Sequence, residues 1–153
     1  MANEFPNITL KPIGFVKSAV KERPPLANFN WGEVVSEIVI NSNLTDALDG
    51  IEGFSHIIVL YWMHRLTSGE VPLKVHPRGK KELPLTGLFA TRTPNRPNRI
   101  GETTVRLLQR QGNILMVEGL DALDDTPVLD IKPYIPGHDS AANTKVPRWL
   151  TSQ

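Results

Sequence analysis

Apolar residues recur at every second position over much of this chain, in short runs broken by proline and glycine. In residues 34–40, Val34, Ser36, Ile38 and Ile40 share one face, and Val35, Glu37 and Val39 share the other, the period of a strand. Residues 57–63 are apolar on both faces, as a central strand would be. Residues 103–110 and 114–118 flank Gln111, Gly112 and Asn113 and predict a β-hairpin. Residues 128–132 read as another short strand stopped by Pro133, and residues 9–17, with Pro12 and Gly14, as an edge strand. Helix signals are few: residues 44–51 predict two turns, with Asn43 as cap and Gly50 or Gly53 as the stop. Thirteen prolines and eleven glycines forbid long helices elsewhere. Six or so strands with so little helix predict a mainly β protein, a β-barrel or strongly curved sheet with one or two short helices.

At 153 residues the chain reads as one domain, with a core over about 8–136 and a tail over 137–153 that packs through Val146, Trp149 and Leu150. It contains no cysteine, which removes disulfides, a thiol nucleophile and thiolate metal sites. Met1 to Asn7 lacks the features of a signal peptide, and the longest apolar run, 57–63, is too short to span a bilayer. The expectation is a soluble, cytoplasmic protein without membrane attachment.

Charge changes the picture. The net charge is only +1, yet residues 74–99 hold Lys74, Arg78, Lys80, Lys81, Arg92, Arg96 and Arg99 against the single acid Glu82. A cationic stretch on a near-neutral chain points to an anionic partner, nucleic acid first, although Lys80 and Lys81 also serve simply to solvate a loop. Within it, residues 88–101 set three arginines and two prolines behind a short apolar segment. Proline fixes φ, removes donors and extends the residue before it. The segment therefore predicts a stiff loop presenting guanidinium forks suited to carboxylates or phosphates. The alternative is a surface loop with solvated arginines. Residues 67–84 read as a polar, basic excursion over the surface.

Two further stretches carry candidate chemistry. His64 and Arg65 follow the buried strand directly, with His64 continuing the face of His56, Ile58, Leu60 and Trp62; a hydrogen-bonding structural role for that histidine stays open. Residues 121–127 combine Asp121, Asp124, Asp125 and Thr126 before Pro127, the composition of a tight turn that can also offer carboxylates and backbone groups to a ribose or a base edge. No P-loop, no G-x-G-x-x-G and no G-x-S-x-G elbow is present, and the four histidines lack zinc-site spacing.

Phe54-Ser55-His56, His64-Arg65, Gly87-Leu88-Phe89-Ala90-Thr91-Arg92, Arg96-Pro97-Asn98, Ile100-Gly101 and the run from Asp121 to Tyr134 resemble, in this order, the TsaA-like family, to which tRNA methyltransferase O belongs. The resemblance implies a small single-sheet β-barrel that binds S-adenosyl-L-methionine without a doubly wound (Rossmann) fold. It also implies a homodimer, with methyl transfer to the exocyclic amine of threonylcarbamoyl-adenosine beside the tRNA anticodon. Carried over by position, the cofactor residues are Arg23, Pro24, Pro25, His64, Arg65, Arg92, Glu102, Ala122, Leu123, Asp124 and Asp125. No catalytic base is assigned; Asp124 and Asp125 are candidates by location only. Three positions depart from the family pattern: Asp125 stands where glycine is usual, Arg99 where proline precedes Ile-Gly, and Glu102-Thr103 where an apolar residue and serine follow it. The chain also lacks the C-terminal domain of longer members, so tRNA recognition is expected to rest on the stretch from Lys74 to Arg99 and on a dimer partner. Two alternatives stay open: a methyltransferase acting on a small molecule or another base, and a noncatalytic module that binds the cofactor or nucleic acid.

Overall fold

A computed structural model of the protein describes residues 4–24, 28–65 and 69–151. Six of its strands close into a barrel: β1 (Gly14–Lys17), β2 (Val35–Ile40), β3 (His56–Trp62), β6 (Ile100–Gln111), β7 (Ile114–Glu118) and β8 (Pro127–Pro133). The order around the barrel is β1-β2-β7-β6-β3-β8, and every pairing is antiparallel. Two short strands, β4 (Lys74–Val75) and β5 (Thr86–Gly87), form a separate hairpin outside it.

Alternation explains the interior. In β2 the buried face is Ser36, Ile38 and Ile40, and in β3 it is Ile57, Val59 and Tyr61. Val16, Val105, Leu115, Val117 and Val128 join them from the other strands. Each such aliphatic side chain contributes about 1.5–3 kcal/mol relative to exposure. The outward residues of β3, Ile58, Leu60 and Trp62, are only half-buried. Residues 57–63 are therefore less evenly two-faced than a central strand of a layered sheet.

The barrel answers the sequence expectation of fold class, with three local corrections. β1 begins after Pro12 and pairs with both β2 and β8, so it is not an edge strand. Residues Ser42–Leu48 form a 3-10 helix whose N-cap is Asn41, not Asn43. The tail forms two single-turn helices, α1 (Pro136–Asp139) and α2 (Arg148–Thr151), and Val146 and Leu150 stay exposed instead of packing on the core. Gly112 turns the β6–β7 hairpin at φ 61°, a conformation that costs other residues backbone strain.

That hairpin end of the barrel is tied shut. Arg110 donates from Nη1 to Glu52 Oε1 (2.9 Å) and Asp49 Oδ1 (3.2 Å), and from Nη2 to the Thr45 carbonyl (3.3 Å). The opposite end, where β3 finishes and β6 and β8 start, is open.

Candidate functional site

A cavity of about 520 Å³ occupies the open end, within the usual size range of small-molecule sites. Five segments enclose it: Arg23 beyond β1, Trp31 before β2, the end of β3 with Tyr61, Met63, His64 and Arg65, the arginine loop leading into β6, and the turn between β7 and β8.

The floor is a hydroxyl–carboxylate cluster. The Tyr61 hydroxyl donates to Asp121 Oδ1 at 2.8 Å, the Thr103 hydroxyl donates to the same oxygen, and the two hydroxyls are 3.2 Å apart. Both donors converge on Oδ1 and neither uses Oδ2. Burial, and then the charge of Asp121, push the Tyr61 phenol well above its ordinary range, so it remains a donor at every physiological pH. Gly101, facing Tyr61 across the β3–β6 ladder, is backed directly against the ring.

The β7–β8 turn is stitched to the chain leaving β1. Asp124 Oδ1 accepts from the Ser18 amide (2.8 Å) and Oδ2 from Lys21 Nζ (2.7 Å). The amides of Asp124 and Asp125 donate to the carbonyls of Val20 (2.9 Å) and Val16 (2.8 Å). The Lys21 hydrogen bond first, and the Ser18 amide second, hold the Asp124 carboxyl below its ordinary range. With both oxygens engaged, Asp124 is a clamp. Because its folded pKa is depressed, its contribution to stability is present above about pH 3.8 and is lost as pH falls through the lower folded value. Asp124→Asn is expected to lower stability at pH 7 by about 1–2 kcal/mol. It should also flatten the acid limb of the stability profile, checked by urea unfolding from pH 7 to pH 3; an unchanged acid limb would show that the clamp contributes nothing.

The arginine loop divides its labour. Arg96 donates from Nη1 to the carbonyls of Thr91 (2.8 Å) and Thr93 (3.2 Å), and so braces the loop from within. Thr91 Oγ1 caps the preceding 3-10 turn, Leu88–Ala90, at the Leu88 carbonyl (2.7 Å). Arg92 is exposed, lines the cavity and forms no ion pair among the described residues. His64 sits on the cavity wall and does not continue the outward face of β3, because the strand stops at Trp62. Partial burial first, then the neighbouring Arg65, lower its pKa against an opposing pull from Asp125, so the imidazole is neutral at pH 7.

The structure thus gathers Arg23, His64, Arg65, Arg92, Glu102, Ala122 and Leu123 around one cavity. Pro24, Asp124 and Asp125 do not line it, and Pro25 lies outside the described residues. Asp125 adopts a left-handed φ of 65°, where glycine is the unstrained residue. Asp121, read in the sequence as part of an acidic turn able to offer carboxylates, also lines the cavity, whereas sequence reasoning missed Trp31, Tyr61 and Gly101 as lining residues; for Tyr61 the signal was available, since alternation through Ile57 and Val59 carries it inward.

The cavity lining carries opposite charges, arginines together with Glu102 and Asp121, beside the rings of Tyr61 and Trp31. This donor set fits a zwitterionic ligand with a flat heterocycle: a guanidinium pairs a carboxylate, while carboxylates suit a cationic centre. S-Adenosyl-L-methionine has all three parts.

Residues 18–140 match the family model of the tRNA-methyltransferase O N-terminal domain. A probable S-adenosyl-L-methionine-binding protein of Methanothermobacter thermautotrophicus is 49% identical, over 87% of this chain and 94% of its own. The human tRNA (adenine(37)-N6)-methyltransferase is 34% identical, over 95% of this chain but 34% of its own length. The crystal structure of TrmO from Pseudomonas aeruginosa superposes with a TM-score of 0.69 at 32% identity, over 91% of this chain and 61% of that one.

Proposed function

The chain belongs to the tRNA-methyltransferase O N-terminal domain family, and on that premise we propose that it is an S-adenosylmethionine-dependent methyltransferase acting on the N6 amine of an adenosine in tRNA. The acceptor in this reading is threonylcarbamoyl-adenosine beside the anticodon, and the enzyme works in the cytoplasm as a homodimer. The observation that carries it is the cavity, lined by arginines and by an anchored carboxylate, Asp121.

When bound, the cofactor supplies an electrophilic methyl group on a cationic sulfonium, already a good leaving group. The protein's part is mostly positioning. Arg92 would pair the methionine carboxylate, and Ala122 and Leu123 would wall the adenosine. The methyl group that the cofactor would give up from sulfur to the acceptor nitrogen leaves the amine proton to be taken by the protein. Asp121 is the base in this reading: its Oδ1 is fixed by Tyr61 and Thr103, and Oδ2 remains to accept that proton. Asp124 is set aside from this role because Lys21 and Ser18 occupy both its oxygens. The stretch from Lys74 to Arg99 holds the phosphate backbone, so tRNA binding should weaken steeply with salt.

Calorimetric titration with S-adenosylmethionine and S-adenosylhomocysteine tests the pocket. Arg92→Ala is expected to weaken binding of both roughly 10- to 100-fold, the value of a charge-assisted hydrogen bond; unchanged affinity would remove Arg92 from the carboxylate. Transfer of a labelled methyl group to tRNA carrying threonylcarbamoyl-adenosine, with none to tRNA lacking it, tests the acceptor. Cofactor binding without any transfer would favour the noncatalytic alternative.

A further inference from the structure

Phe89 is 81% exposed, although it lies in the middle of an ordered turn. Its neighbour Leu88 is buried, at 4% exposure, and anchors that turn to the body. The Leu88 amide donates to the Leu73 carbonyl (2.9 Å), and Lys74 pairs with Gly87 across the β4–β5 hairpin. The turn is thus held to the β4–β5 hairpin just before the ring, and the ring is presented outward on that base. The Arg96 guanidinium carbon is 6.0 Å from the ring centroid, while its Nη1 is committed to the Thr91 and Thr93 carbonyls. Arg96 also lines the cavity, which places Phe89 one side chain beyond the rim of the site.

An exposed phenylalanine gains nothing for folding where it stands. A rigid aromatic face set among cations is what single-stranded nucleic acid recognition uses: the ring stacks on a base, the cations take its phosphates, and no particular base is required. We propose that Phe89 is a stacking platform for an unpaired nucleobase flanking the reactive nucleotide, with Lys74, which pairs with Gly87 beside the turn, receiving the adjoining phosphate. This rests on the RNA-substrate reading above, and it names the part of the surface that holds the RNA next to the cavity. The charge favours a polyanion here: between Lys74 and Arg99 there is one acid, Glu82, among seven basic residues.

The test compares wild-type protein with Phe89→Ala, Phe89→Leu and Phe89→Trp. The first readout is binding of an unmodified anticodon stem-loop, which needs no turnover, and the second is the KM for tRNA in methyl transfer. Phe89→Ala is expected to weaken stem-loop binding and raise KM about tenfold, with S-adenosylmethionine affinity unchanged. Phe89→Trp should restore both, and its added indole fluorescence should be quenched by the stem-loop; Phe89→Leu should not restore them. Wild-type affinity in Phe89→Ala would overturn the proposal, as would full rescue by leucine, which would mean simple apolar contact. A changed sedimentation coefficient in Phe89→Ala would also overturn it, by assigning the ring to a second copy of the chain. Stem-loop binding that depends on Phe89, with no methyl transfer by the wild type, would keep this inference and remove the proposed reaction.

Discussion

Replacing Gly101 with alanine is expected to lower stability and abolish cofactor binding in one step. A β-carbon at this position would lie 2.5 Å from Cζ of Tyr61, far inside van der Waals contact. The ring cannot easily yield: it is 5% exposed, belongs to the core cluster, and is tethered through its hydroxyl to Asp121 and Thr103. Either the β3–β6 ladder parts or the ring swings toward the cavity and breaks the floor. Overpacking of this kind costs about 1–3 kcal/mol, a fall in Tm of roughly 2–12 °C for a domain of this size. Thermal unfolding with and without S-adenosylmethionine checks both halves: the variant should melt earlier and gain no stabilisation from the ligand. A wild-type Tm with full ligand stabilisation would show that the ring has room to move.

The inward face of β2 and the hairpin at Gly112 were legible because each is a local matter: alternation in one case, a turn residue in the other. Barrel closure is not local. Pro12 and Gly14 suggest an edge, yet β1 starts after the proline and is paired on both sides, which only the position of β8, more than a hundred residues later, decides. Residues 44–51 read as two turns of helix from their composition, whereas the chain forms a 3-10 helix over Ser42–Leu48; periods of 3.0 and 3.6 are not separable over so short a segment. At the site, composition marked the arginine loop and the acidic turn without assigning work within them. Arg96 braces and Arg92 faces the cavity, although both stand in the same motif. Asp124 reads as a pocket carboxylate until Lys21, 103 positions away, is seen to hold it. Its neighbour Asp121, which reads as turn chemistry, is the carboxylate on the floor.

Substituting asparagine for Asp121 separates these two acids functionally. The amide keeps the size of the side chain and an oxygen able to accept from Tyr61 and Thr103, so the floor should survive and the affinity for S-adenosylhomocysteine, which lacks the cationic centre, should change little. What is lost is the group that takes the amine proton. A positioned base contributes about 10²- to 10⁴-fold, so kcat for methyl transfer to tRNA is expected to fall at least 100-fold while KM stays near the wild-type value. Tyr61→Phe is the companion variant. It leaves the carboxylate in place but removes one of its two anchors, and it should lower kcat by a smaller factor through misplacement of the base. Single-turnover transfer from labelled S-adenosylmethionine, measured with the complex preformed, isolates the chemical step from binding and release. If Asp121→Asn transfers methyl within two- or threefold of the wild-type rate, which is roughly the noise of such comparisons, the carboxylate is no base. The acceptor would then lose its proton to solvent or to its own carbamoyl-threonine group, and the anchored floor would serve only to shape the cavity.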